Sequence, residues 1–322
     1  MEIKLNLKDK KILAELDFNA REPISRIAKK VNVSKEVALY RIKKLEKEGI
    51  IKQYYAIINT AKLGYYYCRL LIKFQNITKE IEERIITYLK ENPKIAYLGI
   101  LDGSWDLLVG YWVRDIGEFE ELIDRFVFNY GKYILEKEIS IGLHLWQFPF
   151  RFLLDQKSFQ EFKTGGKIET FKLDNIDRKI LILLTKNARI GYENLSKEFN
   201  LTGKAISNRI KNLIKKKIIV GFRTLINYKK FGYTNNKVLL YLQNLTKKEF
   251  NKLVNYLKTI PNCIYITKSI GRPDLEFEIL TKTREEFFSI IKNLREKFPN
   301  IIKNYDYFMI YEELISKFIP TE

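Results

Sequence analysis

The sequence predicts an α+β chain built from two tandem copies of one unit, each a helix-turn-helix head with a candidate wing, followed by a ferredoxin-like β-α-β-β-α-β sandwich. Three observations carry this: a direct repeat at constant offset, a helix–turn–helix rhythm opening each copy, and an alternation of strand and helix patterns in the remainder.

The repeat comes first. DKKILAELDFNAR at 9–21 returns as DRKILILLTKNAR at 177–189, an offset of 168. RIKKLEKEGII (41–51) then aligns with RIKNLIKKKII (209–219), and IINTAKLGY (57–65) with LINYKKFGY (225–233), without a gap. Roughly 22 of the 57 positions from Asp9 to Tyr65 are identical, far above chance for unrelated segments. Pro93, Gly103, Asp106 and Phe119 keep register with Pro261, Gly271, Asp274 and Phe287. The expected divisions are 1–60 (head one), 61–150 (sandwich one), 151–171 (linker, with Gly165-Gly166 as its flexible joint), 172–228 (head two) and 229–322 (sandwich two).

The heads follow from caps and periodicity. Asn6 and Asp174 stand where N-caps belong, each with an acidic residue three positions on, a variant of the capping box. Ile12, Leu13 and Leu16 stripe a first helix, and Ile24, Ile27 and Ala28 a second. Asn32 and Asn200 suit the left-handed turn between helices. Ser34 and Thr202 cap a third helix, with Ala38, Ile42 and Leu45 inward and Ile206, Ile210 and Leu213 matching them. The β-prone runs 50–58 and 218–226 are candidate wings.

The sandwiches follow from alternation. Cys68, Leu70, Ile72 and Phe74 share one strand face, and Val238, Leu240 and Leu242 repeat the phase. A helix with Ile81, Ile85 and Leu89 ends near Pro93. Two strands then flank Gly103, and a helix with Phe119, Leu122, Ile123 and Phe126 leads to a last strand near 134–145. Helices cover one face of such a sheet. The other face, with Tyr67, Leu71 and Trp112, needs cover from another copy.

Composition narrows the function classes. At 322 residues with 46% hydrophobic content, the chain has ample core for several ordered domains. A net charge of +19 fits a polyanionic partner or simply a lysine-rich surface. No run approaches the roughly 20 apolar residues of a membrane span, and the start, MEIKLNLKDKK, is charged. A cytoplasmic location is therefore expected. Cys68 and Cys263 lack neighbours at metal spacing, so neither metal nor cofactor is called for.

A short helix, a tight turn and a capped basic helix suit major-groove reading of double-stranded DNA. The candidate contacts are Lys35, Val37, Tyr40, Arg41, Lys43 and Lys44 in copy one, and Lys204, Ala205, Asn208, Arg209, Lys211 and Asn212 in copy two. Lys reaches phosphate or guanine, Asn pairs with adenine, and Val or Ala meets a thymine methyl. Arg41 and Arg209, at equivalent positions, are expected to anchor phosphate.

The stretch NAREPISRIAKKVNVSKEVALYRIKKLEKEGIIKQYYAIINTAKLGY closely resembles the head of the Lrp/AsnC (leucine-responsive, feast/famine) regulators, and the resemblance covers the chain twice. It implies sequence-specific DNA binding, homo-oligomers through sheet-to-sheet packing, and a small-molecule effector. The family's G-x-x-D turn corresponds to Gly103, Trp105 and Asp106 and to Gly271, Arg272 and Asp274, the candidate effector residues. The last strands lack the family's threonine-rich pattern. Two rival readings are a sirohaem decarboxylase-like enzyme of the same architecture and an architectural DNA-binding protein. The single histidine, His144, reads as a packed strand residue, and no catalytic motif is visible. Being joined but unlike, the two copies predict a built-in pseudo-dimer reading two unlike half-sites.

Overall fold

A computed structural model describes residues 3–154 and 160–320. Each head has three helices: α1 (Leu7–Phe18), α2 (Ile24–Val31) and α3 (Lys35–Lys47) in copy one, and α6 (Asn175–Lys186), α7 (Tyr192–Phe199) and α8 (Gly203–Lys215) in copy two. The caps are those the sequence predicts. Asn6 accepts from the Asp9 amide, Asp174 from Asp177, Ser34 from Val37 and Thr202 from Ala205. Asn32 and Asn200 take left-handed φ of 57° and 50°.

The candidate wings do something else. Strand β1 (Ile51–Ile58) pairs antiparallel with its counterpart β7 (Ile219–Ile226), from Ile51↔Ile226 to Ile58↔Ile219. The result is a two-stranded ribbon shared between the copies, not a wing on each head. Each head then packs on the other copy's strand. Ile12, Leu13, Leu16, Ile27 and Leu45 share a core with Ile226 and Phe231, while Ile180, Leu181, Leu184 and Leu213 share one with Ala56 and Ile58.

The sandwiches keep the predicted order. Copy one has β2 (Tyr66–Phe74), α4 (Lys79–Glu91), β3 (Ile95–Gly103), β4 (Leu107–Val113), α5 (Ile116–Tyr130) and β5 (Ile134–Gln147). After β6 (Phe162–Gly165), copy two has β8 (Thr234–Leu242), α9 (Lys247–Thr259), β9 (Cys263–Gly271), β10 (Leu275–Thr281), α10 (Arg284–Lys297) and β11 (Ile302–Ser316). The expected face-to-face packing of two sheets is replaced by fusion at their edges. β5 pairs with β2 through its first half and with β9 through its second. β11 likewise pairs with β8 and then β3. The order β2-β4-β3-β11-β8-β10-β9-β5 therefore closes on itself, a barrel that leaves no free edge. The helices pack outside it. The faces of Tyr67, Leu71 and Trp112 turn inward, as do those of Leu239 and Tyr241.

The linker differs from expectation too. β6 extends the sheet beside β5, Glu169 and Phe171 donate backbone bonds to Ala61 and Lys62, and Lys62 pairs with Glu169 at 2.6 Å. Gly165 and Gly166 form a tight turn, with φ of 86° and 100°. The Gly166 amide is bonded to the Leu143 carbonyl and that of Gly165 to the Asn59 side chain. They are a corner held by packing, not a hinge. No helix among the described residues is long and apolar enough to cross a membrane.

Candidate nucleic-acid interface

The third helix of each head presents a polar face because its apolar residues are committed inward. Ala38, Ile42 and Leu45 are buried in α3, and Ile206, Ile210 and Leu213 in α8. Lys35, Val37, Tyr40, Lys43 and Lys44 are consequently exposed in copy one, with Tyr40 69% exposed. Lys204, Asn208, Lys211 and Asn212 are exposed in copy two, and Ala205 is half-buried. The faces are unlike in chemistry: an aromatic ring and lysines in one, two amides among lysines in the other.

Two candidates carry a different role. Arg41 pairs with Asp9 at 2.8 Å, and Arg209 bridges Asp174 and Asp177 at 2.7 and 2.8 Å. Each guanidinium ties the third helix to the capped start of the first. The acidic partner three residues after each cap is the signal that points to this pairing.

The heads are latched to each other by the NAR segments. Arg21 donates to the carbonyls of Ala188 (2.5 Å) and Ile190, and Arg189 donates to those of Ala20 (2.6 Å) and Glu22. The Ala20 and Ala188 amides meanwhile bond to Phe222 and Tyr54 on the ribbon. Asn19 and Asn187 hold the turns by accepting from the arginine amides. Reciprocal bonds to carbonyls fix one head against the other in a pseudo-twofold setting. The sequence shows NAR only as a repeated word.

The G-x-x-D turns are structural in both copies. Asp106 accepts from the Phe74 amide (2.6 Å) and Lys73, and Asp274 accepts from the Leu242 amide (2.8 Å). Trp105 is buried inside the barrel, packed with Leu71, Leu239 and Phe308. Gly103 and Gly271 have φ of 139° and 97° and abut the other copy's last strand. A Cβ on Gly271 would fall 2.5 Å from the Ile139 carbonyl oxygen. Arg272 is exposed. His144, expected in a packed core, lines a cavity instead, with Nδ1 buried and unpartnered.

Comparison with known proteins agrees with this geometry. Residues 5–52 match the family described as winged helix-turn-helix DNA-binding, and residues 173–214 match the AsnC-type helix-turn-helix domain. The transcriptional regulator LrpA of Pyrococcus horikoshii is 32% identical over 120 residues, 37% of this chain and 82% of its own. An uncharacterized HTH-type regulator of Pyrococcus furiosus is 30% identical over 141 residues, 43% of this chain and 93% of its own. The proline dehydrogenase transcriptional activator of Rhodobacter capsulatus is 28% identical over 116 residues, 36% and 75% of the two chains. Among solved structures, the siroheme decarboxylase NirDL matches 97% of this chain and 94% of its own, with a TM-score of 0.64 at 12% identity. At that identity the likeness speaks for the tandem fold alone. Two helix-turn-helix heads on a shared α+β platform define a class of regulator architecture. Within it, this chain belongs to the Lrp/AsnC family, with the family unit present twice.

Proposed function

We propose that the protein is a sequence-specific DNA-binding transcription regulator whose single chain acts as a pseudo-dimer. The heads (1–60 and 172–228) read DNA, and the two sandwiches (61–150 and 229–322) form their platform. The observation that carries the reading is the NAR latch, which holds two capped, basic third helices in one fixed relation. Lys35, Val37, Tyr40, Lys43 and Lys44 read one half-site. Lys204, Ala205, Asn208, Lys211 and Asn212 read the other. Because Glu36 stands opposite Lys204 in the repeat, Tyr40 opposite Asn208 and Lys44 opposite Asn212, the half-sites differ.

The relatives' printed names, all transcription regulators, support the non-enzymatic reading. The whole-chain likeness to NirDL is what favours the enzyme, and the interior weighs against it. The cavity beside His144 holds about 240 Å³, below the roughly 300–1,000 Å³ of drug-sized sites, and a tetrapyrrole is larger still.

Selection from a random duplex pool tests the proposal. The selected site should hold two unlike halves about one helical turn, or a multiple of it, apart. Its affinity should fall steeply with salt as phosphate contacts release counterions. A flat salt response, or no enrichment at low salt, contradicts the reading.

A further inference from the structure

The barrel interior is filled in layers. One end is an apolar plug that includes Leu71, Trp105, Leu239 and Phe308. Beyond a charged middle layer lies the cavity of about 240 Å³, between the barrel and the ribbon. Tyr67, Tyr97, Trp112 and Tyr265 line it from the barrel, and Tyr55 reaches it from the ribbon. Glycines make room for the rings. A Cβ on Gly110 would fall 2.5 Å from the Tyr67 hydroxyl, and one on Gly99 would fall 2.9 Å from the Tyr97 ring.

The charges of the lining are already matched. Arg69 pairs with Glu276 and donates to the Ser140 and Ser269 hydroxyls at 3.0 and 2.6 Å. Lys237 lies 3.0 Å from Glu278. Glu313 is exposed, accepts from the Tyr97 hydroxyl and has Lys52 and Lys229 acting on it. Lys317 donates to the Pro93 carbonyl. Burial, with Lys163 and Lys268 nearby, lowers the proton affinity of His144 and favours its neutral form. A charged ligand entering here would shed its water without meeting a free counter-charge.

The unmatched groups are uncharged ones. Gln147, Thr164 and Thr267 line the cavity and are 7%, 9% and 6% exposed. Among the described residues, the Gln147 amide and the two threonine hydroxyls have no hydrogen-bond partner. Strand register gathers them: Thr164 and Thr267 flank Leu145 on its two sides, and Gln147 follows two residues along the same face. Buried polar groups are rarely left unpaired, so these three bond to whatever fills the cavity. We propose that the cavity binds a small uncharged planar heteroaromatic of nucleobase size, its donor–acceptor edge on the Gln147 amide and its faces against the aromatic rings. A glutamine amide sets an N–H donor beside a carbonyl acceptor, the complement of a lactam, primary amide or amino-azine edge. Flat rings pack well on tyrosine and tryptophan, stacked or edge-on. The volume limits the ligand to something smaller than a typical drug.

Calorimetric titration of the full chain with adenine, uracil and nicotinamide, beside nicotinate as the charged counterpart, tests this. At least one neutral ring should saturate a single site per chain, and nicotinate should not bind. Gln147→Leu removes the amide at nearly constant volume. It should weaken that ring roughly tenfold or more, with the melting temperature of the free protein at or above that of the parent because an unpaired buried amide is gone. Gly110→Ala, which displaces the Tyr67 ring, should also weaken it. The proposal is overturned if none of the three binds at millimolar concentration, if nicotinate binds as well as the neutral rings, or if Gln147→Leu leaves the affinity unchanged. No DNA enters the titration, so its result is separate from the regulator reading.

Discussion

The two copies occupy equivalent places around the pseudo-twofold yet treat the space between barrel and ribbon differently. In copy one, Tyr65, Ala96 and Trp112 line the cavity. Their counterparts Tyr233, Ile264 and Leu280 are packed into the core of head one with Phe150 and Leu153. The ribbon diverges in step. Arg223, buried, makes two bonds to Asp17 (2.9 and 2.8 Å) and one to the Phe148 carbonyl (2.8 Å). At the matching positions Tyr55 stacks on Phe318 with centroids 4.0 Å apart, and the Thr185 hydroxyl donates to the Ile182 carbonyl of its own helix, its side chain making no ion pair. A homodimer of identical chains must treat both ends alike. Fusion of the copies frees one end to become a support and the other to stay open.

The largest expected effect tests that support. Arg223→Ala strands a buried Asp17 carboxylate and should cost about 3–5 kcal/mol. Tyr55→Ala, which removes a ring and no charge, should cost less. Urea unfolding of both variants makes the comparison, and equal losses would remove the claimed asymmetry.

The latch ranks next. Arg21→Ala and Arg189→Ala should each destabilise by about 1–3 kcal/mol, because each leaves buried carbonyls short of a donor. The two act on one contact between heads, so the double variant should lose less than the sum. Strict additivity in thermal unfolding would mean that the arginines work independently.

A smaller effect lies after the third helices. Gly49 and Lys217 hold equivalent left-handed positions, with φ of 64° and 56°. A side chain there costs about 1–2 kcal/mol, so Lys217→Gly should raise stability and Gly49→Lys should lower it. Opposite signs in paired melting curves are expected, and the same sign in both would contradict the equivalence.

Much of this was legible in the sequence, and for identifiable reasons. Caps, turn asparagines and apolar stripes act over a few residues, so Asn6, Asn32, Ser34 and their partners in copy two marked the heads directly. Strand alternation likewise gave the order of each sandwich. What escaped was pairing between the copies. Ile51–Ile58 looks the same whether it forms a wing or joins Ile219–Ile226. The long last strands, Ile134–Gln147 and Ile302–Ser316, carry no local mark of their second partners. At the candidate interface, exposure of Tyr40 and Asn208 followed from helical spacing. The commitment of Arg41 and Arg209 to acidic residues in the first turns of α1 and α6 depends on contacts more than thirty positions away. The cavity had no signal at all, since its lining comes from both barrel halves, the ribbon and the linker.

The central claim is that one chain reads DNA with two unlike heads held in a fixed relation. Removing copy two would break the ribbon and open the barrel, so the test keeps the chain whole. Footprints of the parent and of a Lys204→Ala, Asn208→Ala, Lys211→Ala variant should be compared on the selected site. The account predicts protection of both half-sites by the parent and loss confined to one half in the variant, with Tyr40→Ala affecting the other half. An unchanged footprint in the variant, or a perfectly palindromic selected site, would contradict it.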